Sequence, residues 1–381
     1  MLLDLLNPAR ILFGPGANDR IGTEIARLGK KPLIVTGRKS LVASGNLDRV
    51  ASPLRQLGIK PVFFADVEPE PTVGKVDEVR QIARENRCDL IVGVGGGSVL
   101  DVAKAAAGLY GEDEPTRVYL YGREVTATGL PWLAIPTTAG SGSEVTENAV
   151  LTDPEEGKKG SIRNGFWMAS TAIVDPIFTM SMPKKLTAIT GFDALSHAIE
   201  SYTSRWANPY SSSLSQAAAA LIMQNLYTAF STNKKEAREK MMLASLMAGM
   251  SLNVARSGAV HSLAHPLGQR YGLSHGLVCA VLLPSVMRYN LPLVDTRYAD
   301  LAYAVNLSPR STPPEEAAER LIFFVEKAVQ KLEVPSRLSQ LGVKEEDLAE
   351  IANLAHESAS LSANPRRTQR EDLLEILRGC W

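Results

Sequence analysis

CDLIVGVGGGSVLDVAKAAAG, residues 88–108, joins a strand-like run to a helix-like run through a row of glycines. Residues 90–94 are apolar and β-branched, as in a buried parallel strand, and residues 99–107 have apolar positions at helical spacing. Glycines allow close backbone approach, and the amides that begin a helix attract a phosphate. The pattern therefore predicts a phosphate-binding turn at Gly95, Gly96, Gly97 and Ser98. Ser98, which can also cap the helix, stands where the GxGxxG fingerprint has its third glycine, so a turn that binds nothing is the alternative.

The rest of the first half alternates between strand-like and helix-like segments. Strands are predicted at residues 31–36, 61–65, 90–94 and 131–135, and helices at 40–57 and 76–85. Such alternation is typical of a parallel sheet covered by helices on both faces. From residue 186 onward only helical patterns occur, such as SLSQAAAALIMQNLYTAF at 213–230. We therefore predict an α/β domain over residues 1–184 and an all-helical domain over residues 185–381.

Four of the five histidines fall within residues 197–275, close to an aspartate. Asp193 and His197 are four residues apart in GFDALSHAIESYTS (191–204), so they share a helix face. His261 and His265 have the same spacing in GAVHSLAHPLGQRYGLSHG (258–276), which ends near His275. An imidazole-rich set with one carboxylate suits Zn²⁺ or Fe²⁺, whereas Mg²⁺ and Ca²⁺ take mostly oxygen ligands. The cluster predicts a metal site, although spacing does not choose which three histidines bind; hydrogen-bonded core histidines are the alternative.

Charge and cysteine content narrow the class of protein. The 41 basic and 41 acidic residues balance, so there is no electrostatic reason to expect a nucleic acid or an anionic membrane as partner. The sequence has no uncharged apolar run of about twenty residues and no basic leader before an apolar core, which predicts a cytoplasmic protein. Three widely spaced cysteines do not form a disulfide framework, and Cys279 is predicted to be a buried apolar filler.

Four motifs in collinear order make the chain resemble the iron-dependent, or group III, alcohol dehydrogenase family. They are GGGSVLDVAK (95–104), PTTAGSGSEVT (136–146), GFDALSHAIESY (191–202) and the segment 261–275, and the ending NPRRTQREDLLEIL (364–377) also matches. The resemblance implies a dehydroquinate synthase-like architecture. In it, a Rossmann-like dinucleotide-binding domain precedes a helical metal-binding domain, and the active site lies in the cleft between them.

The resemblance also implies the metal ligands and the reaction. The ligands correspond to Asp193, His197, His261 and His275, and the ion is Fe²⁺ by family expectation, with Zn²⁺ acceptable to the same side chains. His265 becomes a spare imidazole, which is either a catalytic proton carrier or a hydrogen-bond partner of a ligand. The ion polarises the oxygen of a small primary alcohol or aldehyde while hydride moves to or from a nicotinamide.

By the same resemblance, the glycine turn at 95–98 lies against the cofactor pyrophosphate, and Asp101 belongs to the same motif. Thr137 and Thr138 correspond to contacts on the nicotinamide side, and Ser143 and Lys158 are weaker candidates of the same kind. The alternative for Thr137, Thr138 and Ser143 is that their hydroxyl groups form hydrogen bonds with the backbone of the glycine-rich loop.

Cofactor preference is predicted from the end of the first predicted strand. NAD-preferring members of the family commonly have an acid there, which would repel a 2′-phosphate. This chain has Gly37, followed by possible phosphate donors at Arg38, Lys39 and Ser40. We therefore predict that NADP(H) is preferred over NAD(H); the alternative is that these are solvated loop charges and either cofactor is used.

Two other readings and the assembly state remain open. A glycerol-dehydrogenase-like or dehydroquinate-synthase-like enzyme would use the same scaffold with a different ligand set. A metal-responsive binding protein with a relict nucleotide fold is the non-enzyme alternative. An edge strand near residues 10–13 can pair between subunits, so we expect a homodimer.

Overall fold

The structure of the chain is a computed structural model that describes residues 5–381. The chain divides into two compact units, one ending at Ser181 and the other running from Met182 to Trp381. The division falls close to the change from alternating to purely helical sequence patterns.

The N-terminal unit is built on a six-stranded parallel sheet with the order β1-β8-β5-β4-β2-β3. A separate antiparallel hairpin pairs β6 with β7. The strands are β1 (Ile11–Phe13), β2 (Pro32–Gly37), β3 (Val62–Val67), β4 (Leu90–Gly95), β5 (Trp132–Pro136), β6 (Asn148–Asp153), β7 (Lys158–Arg163) and β8 (Thr171–Val174). The helices are α1 (Ile21–Leu28), α2 (Ser40–Ala43), α3 (Asn46–Gln56), α4 (Val73–Glu85), α5 (Gly97–Gly108) and α6 (Thr116–Leu120).

The centre of this sheet is buried on both faces, which explains its nearly continuous apolar runs. Every residue of β4, β5 and β8 is buried. Their side chains form a core with α1 and α3 that includes Ile25, Leu54, Val92, Ile135 and Ile173. The predicted parallel sheet is confirmed. Its central strands are apolar at every position, rather than at alternate ones, because both of their faces are covered.

The helix predicted at residues 40–57 is two helices. Between α2 and α3 the backbone of Gly45 is left-handed, with φ of 71°, and this conformation ends one helix and begins the next. Strands β6, β7 and β8 were not predicted. β7 reads KKGSIR, which has no apolar alternation, and β8 has four residues.

The C-terminal unit is entirely helical over residues 182–381, as predicted. Its helices are α7 (Lys184–Thr203), α8 (Pro209–Thr232), α9 (Lys235–Ala255), α10 (Ala259–Tyr271), α11 (His275–Ala304), α12 (Pro314–Lys331), α13 (Leu348–His356) and α14 (Arg370–Gly379). The buried residues of α7 include the ionisable side chains Asp193, His197 and Glu200. Buried polar groups of this kind need partners.

Helix α11 is the one helix within residues 5–381 that is long and apolar enough to cross a membrane by length and composition alone. Of its most apolar window, 61% is buried inside the protein. Its backbone leaves the helical conformation at Val294, two residues after Pro292. Packing within its own unit therefore accounts for the apolar character of this helix.

Candidate metal and cofactor sites

The four side chains predicted as metal ligands converge around one carboxylate oxygen. Asp193 Oδ1 lies 3.9 Å from Nε2 of His197, 3.9 Å from Nε2 of His261 and 3.6 Å from Nε2 of His275. These separations are too long for hydrogen bonds. Two ligands of one tetrahedral ion, each at about 2.1 Å, would be roughly 3.4 Å apart, which is close to what is observed. Helices α7, α10 and α11 thus bring the predicted set together.

Two atoms of this cluster are buried polar atoms that no hydrogen bond satisfies. Asp193 Oδ1 and His261 Nε2 have no hydrogen-bond partner among residues 5–381. Leaving such atoms unsatisfied costs about 1–3 kcal/mol each, and more when the group is charged. A divalent cation would satisfy both lone pairs at once, so the residues present fit the predicted metal.

Glu200 is a functional candidate that the sequence reading missed. Its Oε2 lies 2.5 Å from Nδ1 of His261, and its Oε1 accepts the backbone N–H of Val260 at 2.7 Å. A proton held on Nδ1 of His261 leaves Nε2 as the atom that faces the cluster, an arrangement usual for metal-binding histidines. Burial lowers the pKa of His261, but the Glu200 carboxylate outweighs this and the net pKa is raised. The sequence does contain a sign of this role, since Glu200 is an acidic residue one helical turn after the predicted ligand His197.

His265 and Cys279 lie at the edge of the same cluster. The half-buried His265 ring stacks near His275, with 5.4 Å between ring centroids. Cys279 is fully buried, as predicted for a filler, but its Sγ lies 3.7 Å from Nε2 of His275. Its sulfur is therefore next to the cluster rather than in a purely apolar contact.

The glycines between β4 and α5 are required by close packing. A Cβ at Gly95 would lie 2.6 Å from the side chain of Val99, and one at Gly97 would lie 2.8 Å from Oγ of Ser141. Both distances are shorter than side chains tolerate, so these positions need glycine for the fold itself. α5 begins at this turn, and the N-terminus of a helix is a favourable place to bind phosphate.

The turn lies beside the two threonines predicted as nicotinamide-side contacts. The N–H of Thr137 donates to the carbonyl of Gly95 at 2.9 Å, and a Cβ at Gly96 would lie 3.3 Å from Oγ1 of Thr138. Both threonines are half-buried, as is Ser98. The residue that caps α5 is Gly96, so Ser98 does not cap the helix as the sequence suggested. Parallel strands β4 and β5 bring these predicted residues together at their carboxyl ends.

Asp101 and Ser143 are engaged with each other. The hydroxyl of Ser143 donates to Oδ1 of Asp101 at 2.6 Å and accepts from Nζ of Lys104 at 3.0 Å. Lys104 is fully buried and also donates to Oγ1 of Thr146 at 3.2 Å and to the carbonyl of Asn148 at 2.6 Å. Burial lowers the pKa of Lys104 to about 8. These hydrogen bonds connect α5 to the segment that leads into β6. They support a role for Asp101 and Ser143 in positioning α5.

Lys158 contacts an aromatic ring. It is exposed at the start of β7, and its Nζ lies 4.7 Å from the ring centroid of Tyr121. Among the described contacts none joins it to the glycine turn, so its predicted cofactor role gains no support from geometry.

The predicted adenosine end contains acids that the sequence reading did not consider. Gly37 ends β2, and a Cβ there would meet its nearest atom, the carbonyl oxygen of Val67, at an ordinary 3.5 Å. Arg38 pairs through Nε with Asp66 at 2.6 Å and through Nη1 with Glu68 at 2.5 Å. Hydrogen bonding from Arg38 lowers the pKa of Asp66 to about 2. Asp66 is the second-to-last residue of β3 and Glu68 directly follows that strand. Because β3 is parallel to β2, the carboxyl ends of the two strands lie at the same edge of the sheet.

Lys39 and Ser40 lie at the beginning of α2 and are exposed. Arg38, Lys39 and Ser40 are the three hydrogen-bond donors predicted to bind the 2′-phosphate of NADP(H), and they are consecutive in the chain. Of these three, Arg38 is already paired with the carboxylates of Asp66 and Glu68.

Comparison with known proteins places the chain in a family along its whole length. A family model described as iron-containing alcohol dehydrogenase matches residues 8–176, and one for the C-terminal part of the Fe-containing alcohol dehydrogenase family matches residues 187–381. The chain is 37% identical to the 1,3-propanediol dehydrogenase of Klebsiella pneumoniae over 381 residues, which covers 99% of this chain and 98% of that protein.

Solved structures of similar proteins support the same family assignment. A 1,3-propanediol oxidoreductase has a TM-score of 0.96 and 37% identity, with 100% of both chains covered. The sulfoacetaldehyde reductase of Bifidobacterium kashiwanohense, in complex with NAD⁺, has a TM-score of 0.90 and 32% identity, with 100% of this chain and 99% of that chain covered. These relatives are alcohol or aldehyde oxidoreductases, and this chain is an oxidoreductase acting on CH–OH groups. It belongs to the iron-containing alcohol dehydrogenase family.

Proposed function

We propose that the protein is a metal-dependent alcohol dehydrogenase and aldehyde reductase that transfers hydride between a nicotinamide cofactor and a small primary alcohol or aldehyde. The observation that carries this proposal is the convergence of three imidazole nitrogens on Asp193 Oδ1, which lies 3.6–3.9 Å from each of them. Unsatisfied buried atoms at the same point indicate a cation rather than an ordinary polar core.

The residues that would hold the metal are Asp193, His197, His261 and His275. We propose Fe²⁺ as the resident ion, with Zn²⁺ acceptable to the same side chains. When bound, such an ion supplies Lewis acidity that polarises the oxygen of the alcohol or aldehyde.

The chain's own groups do the remaining work. Glu200 holds the proton of His261 on Nδ1 and keeps Nε2 available. His265, half-buried beside His275, is proposed to carry the proton of the alcohol to and from water, because the ordinary pKa of imidazole lies near neutral pH.

The glycine turn and the adjacent threonines are proposed to hold the cofactor. Gly95 to Ser98, with the start of α5, would bind the pyrophosphate, and Thr137 and Thr138 would contact the nicotinamide side. The 2.9 Å hydrogen bond from Thr137 to Gly95 supports a single joined surface for both parts. Asp101 and Ser143 would act by fixing α5 against this surface.

We propose a modest preference for NADP(H) over NAD(H). Gly37 supports it, since no side chain there opposes a 2′-phosphate. Arg38 limits it, because the phosphate must displace the carboxylates of Asp66 and Glu68 from the guanidinium. We therefore expect both cofactors to be used. Measurement of kcat/KM with each decides the matter, and a strong preference for NADH would contradict the proposal.

We further propose a cytoplasmic homodimer. β1 is an edge strand whose outer side is not paired within the described residues, so a second copy of the chain can pair with it. The balanced charge and the buried character of α11 support a protein that binds neither nucleic acid nor membrane. Sedimentation analysis of the purified protein tests the assembly.

Elemental analysis combined with a screen of NADPH oxidation by short aldehydes tests the catalytic proposal. His261→Ala and His275→Ala should lose metal and activity together, because each removes a ligand. His265→Ala should keep the metal and lose rate. Retention of bound metal and full activity by both ligand variants would refute the site, whereas unchanged activity of His265→Ala would refute only the proton carrier.

A further inference from the structure

The metal cluster contains a sulfur atom that neither the proposed ligand set nor the proposed reaction uses. Cys279 lies one helical turn after His275 on α11, so the two side chains share a helix face. Asp193, His261, His275 and Cys279 each offer one ligand atom, and these four atoms all lie within 4.8 Å of one another.

The separations suit a shared ion. Sγ of Cys279 lies 3.7 Å from Nε2 of His275, a distance that also allows a sulfur hydrogen bond when no ion is bound. In a tetrahedral zinc site with Zn–S near 2.3 Å and Zn–N near 2.1 Å, sulfur and nitrogen are roughly 3.6 Å apart. Sulfur is therefore placed relative to His275 much as a second ligand would be.

A second observation points to the same place. Asp193 Oδ1 and His261 Nε2, both in this group of four, are buried and lack hydrogen-bond partners among residues 5–381. Asp193 is 7% exposed and His261 is 4% exposed, so water does not readily reach either side chain. Their unsatisfied atoms and the cysteine sulfur surround one small volume.

We propose that Cys279 is a sulfur ligand of this centre. The set with His197 accepts Zn²⁺, but thiophilic ions such as Zn²⁺ and Co²⁺ bind more tightly when Cys279 replaces His197 beside Asp193, His261 and His275. This inference rests on the proposed function, since it requires the metal centre. Asp193, His261 and His275 are common to both ions' sites. The fourth place is taken by His197 for the harder Fe²⁺ and by the thiolate for a softer ion.

Binding of the metal by Cys279 requires no oxidant. The thiol of Cys279 loses its proton to solvent as the sulfur–metal bond forms, and no electron is transferred. A soft ligand beside hard ones would make the centre discriminate among ions by which fourth residue it engages.

Cobalt titration of the metal-free protein tests the proposal, because sulfur bound to Co²⁺ gives an intense near-ultraviolet charge-transfer absorption that nitrogen and oxygen ligands do not. We expect this absorption in the unmodified protein and in His197→Ala. We expect its loss in Cys279→Ser and in Cys279→Ala, the latter serving if the serine variant folds poorly. Cys380→Ser is the matched control, since Cys380 is a buried cysteine of the same unit whose Sγ donates to the carbonyl of Ile376.

Zinc affinity gives an independent readout. Competition with a chromogenic chelator should show Zn²⁺ binding weakened by roughly 100-fold in Cys279→Ser, because even loss of an outer partner costs about 10–100-fold. Iron affinity should change little. Cobalt binding without the charge-transfer absorption would overturn the sulfur ligand while leaving the metal centre intact. Absence of cobalt and zinc binding would overturn the metal centre itself and the sulfur ligand with it.

Discussion

Replacing Glu200 with glutamine is the sharpest test of how the metal centre is organised. In the structure Oε1 accepts the N–H of Val260 at 2.7 Å and Oε2 lies 2.5 Å from Nδ1 of His261. Glutamine keeps the shape but has one acceptor where glutamate has two. If its oxygen faces Val260, its NH₂ faces His261 and forces the imidazole proton onto Nε2, the atom that should bind metal. If the amide is reversed, two donors meet at Val260.

The expected magnitude follows from the loss of this partner. Removing the outer partner of a metal-binding histidine weakens metal binding by about 10–100-fold, which corresponds to about 1.4–2.7 kcal/mol. Chelator competition on the metal-free protein measures the change directly, and urea denaturation of the metal-free form separates it from loss of folding.

Ser262→Ala is the matched control for this variant. Ser262 is buried next to His261, and its hydroxyl donates only to the carbonyl of Gly258 at 2.9 Å, so its removal should leave metal affinity unchanged. Equal metal affinity in Glu200→Gln and the unmodified protein would refute the reasoning.

Three other changes have defined outcomes. Asp66→Asn should raise the ratio of kcat/KM for NADPH over NADH by about two- to fivefold, because Arg38 loses one of its two carboxylate partners and keeps only Glu68. Burial raises the pKa of Glu144 from 4.5 to about 7, so its contribution to stability is complete below pH 4.5 and is lost as pH rises through about 7. Urea denaturation should show this decline, on the order of 1–3 kcal/mol, and Glu144→Gln should abolish it. Gly97→Ala should cost about 1–3 kcal/mol in unfolding free energy and weaken cofactor binding, whereas Gly74→Ala, with nothing within 4 Å of the new Cβ, should cost neither.

Each of these outcomes can fail separately. An unchanged cofactor ratio in Asp66→Asn would show that the ion pair with Asp66 does not restrain Arg38 from binding a phosphate. A pH dependence of stability that is identical in Glu144→Gln would place the titrating group elsewhere. Equal stability of the two alanine variants would mean that the 2.8 Å contact with Ser141 relaxes without cost.

Local patterns in the sequence predicted those parts of the fold and site whose residues are close in the chain. The strand, glycine turn and helix at 88–108 were predictable because apolar periodicity and glycine placement act over a few residues. The pairing of Asp193 with His197 was predictable for the same reason, since four residues on a helix return to the same face.

Contacts between distant segments were not predictable in this way. Glu200 meets His261 because α7 packs near α10, and no local pattern in either helix specifies that neighbour. Arg38 was expected to face a phosphate, but its partners are Asp66 of β3 and Glu68, which directly follows β3, the strand beside β2 in the sheet. Strand β7 escaped prediction because its KKGSIR sequence forms a strand through pairing with β6 rather than through burial.

The ligands on α7, α10 and α11 have a consequence for how the protein matures. Asp193 and His275 lie on helices far apart in the chain, and Oε2 of Glu200 hydrogen-bonds to Nδ1 of His261 without any ion. An unfolded chain cannot gather these groups, so the receptor for the ion is complete only after the helical unit has formed. An ion that binds these assembled groups and not the unfolded chain stabilises the helical unit, so metal occupancy and resistance to unfolding should rise together.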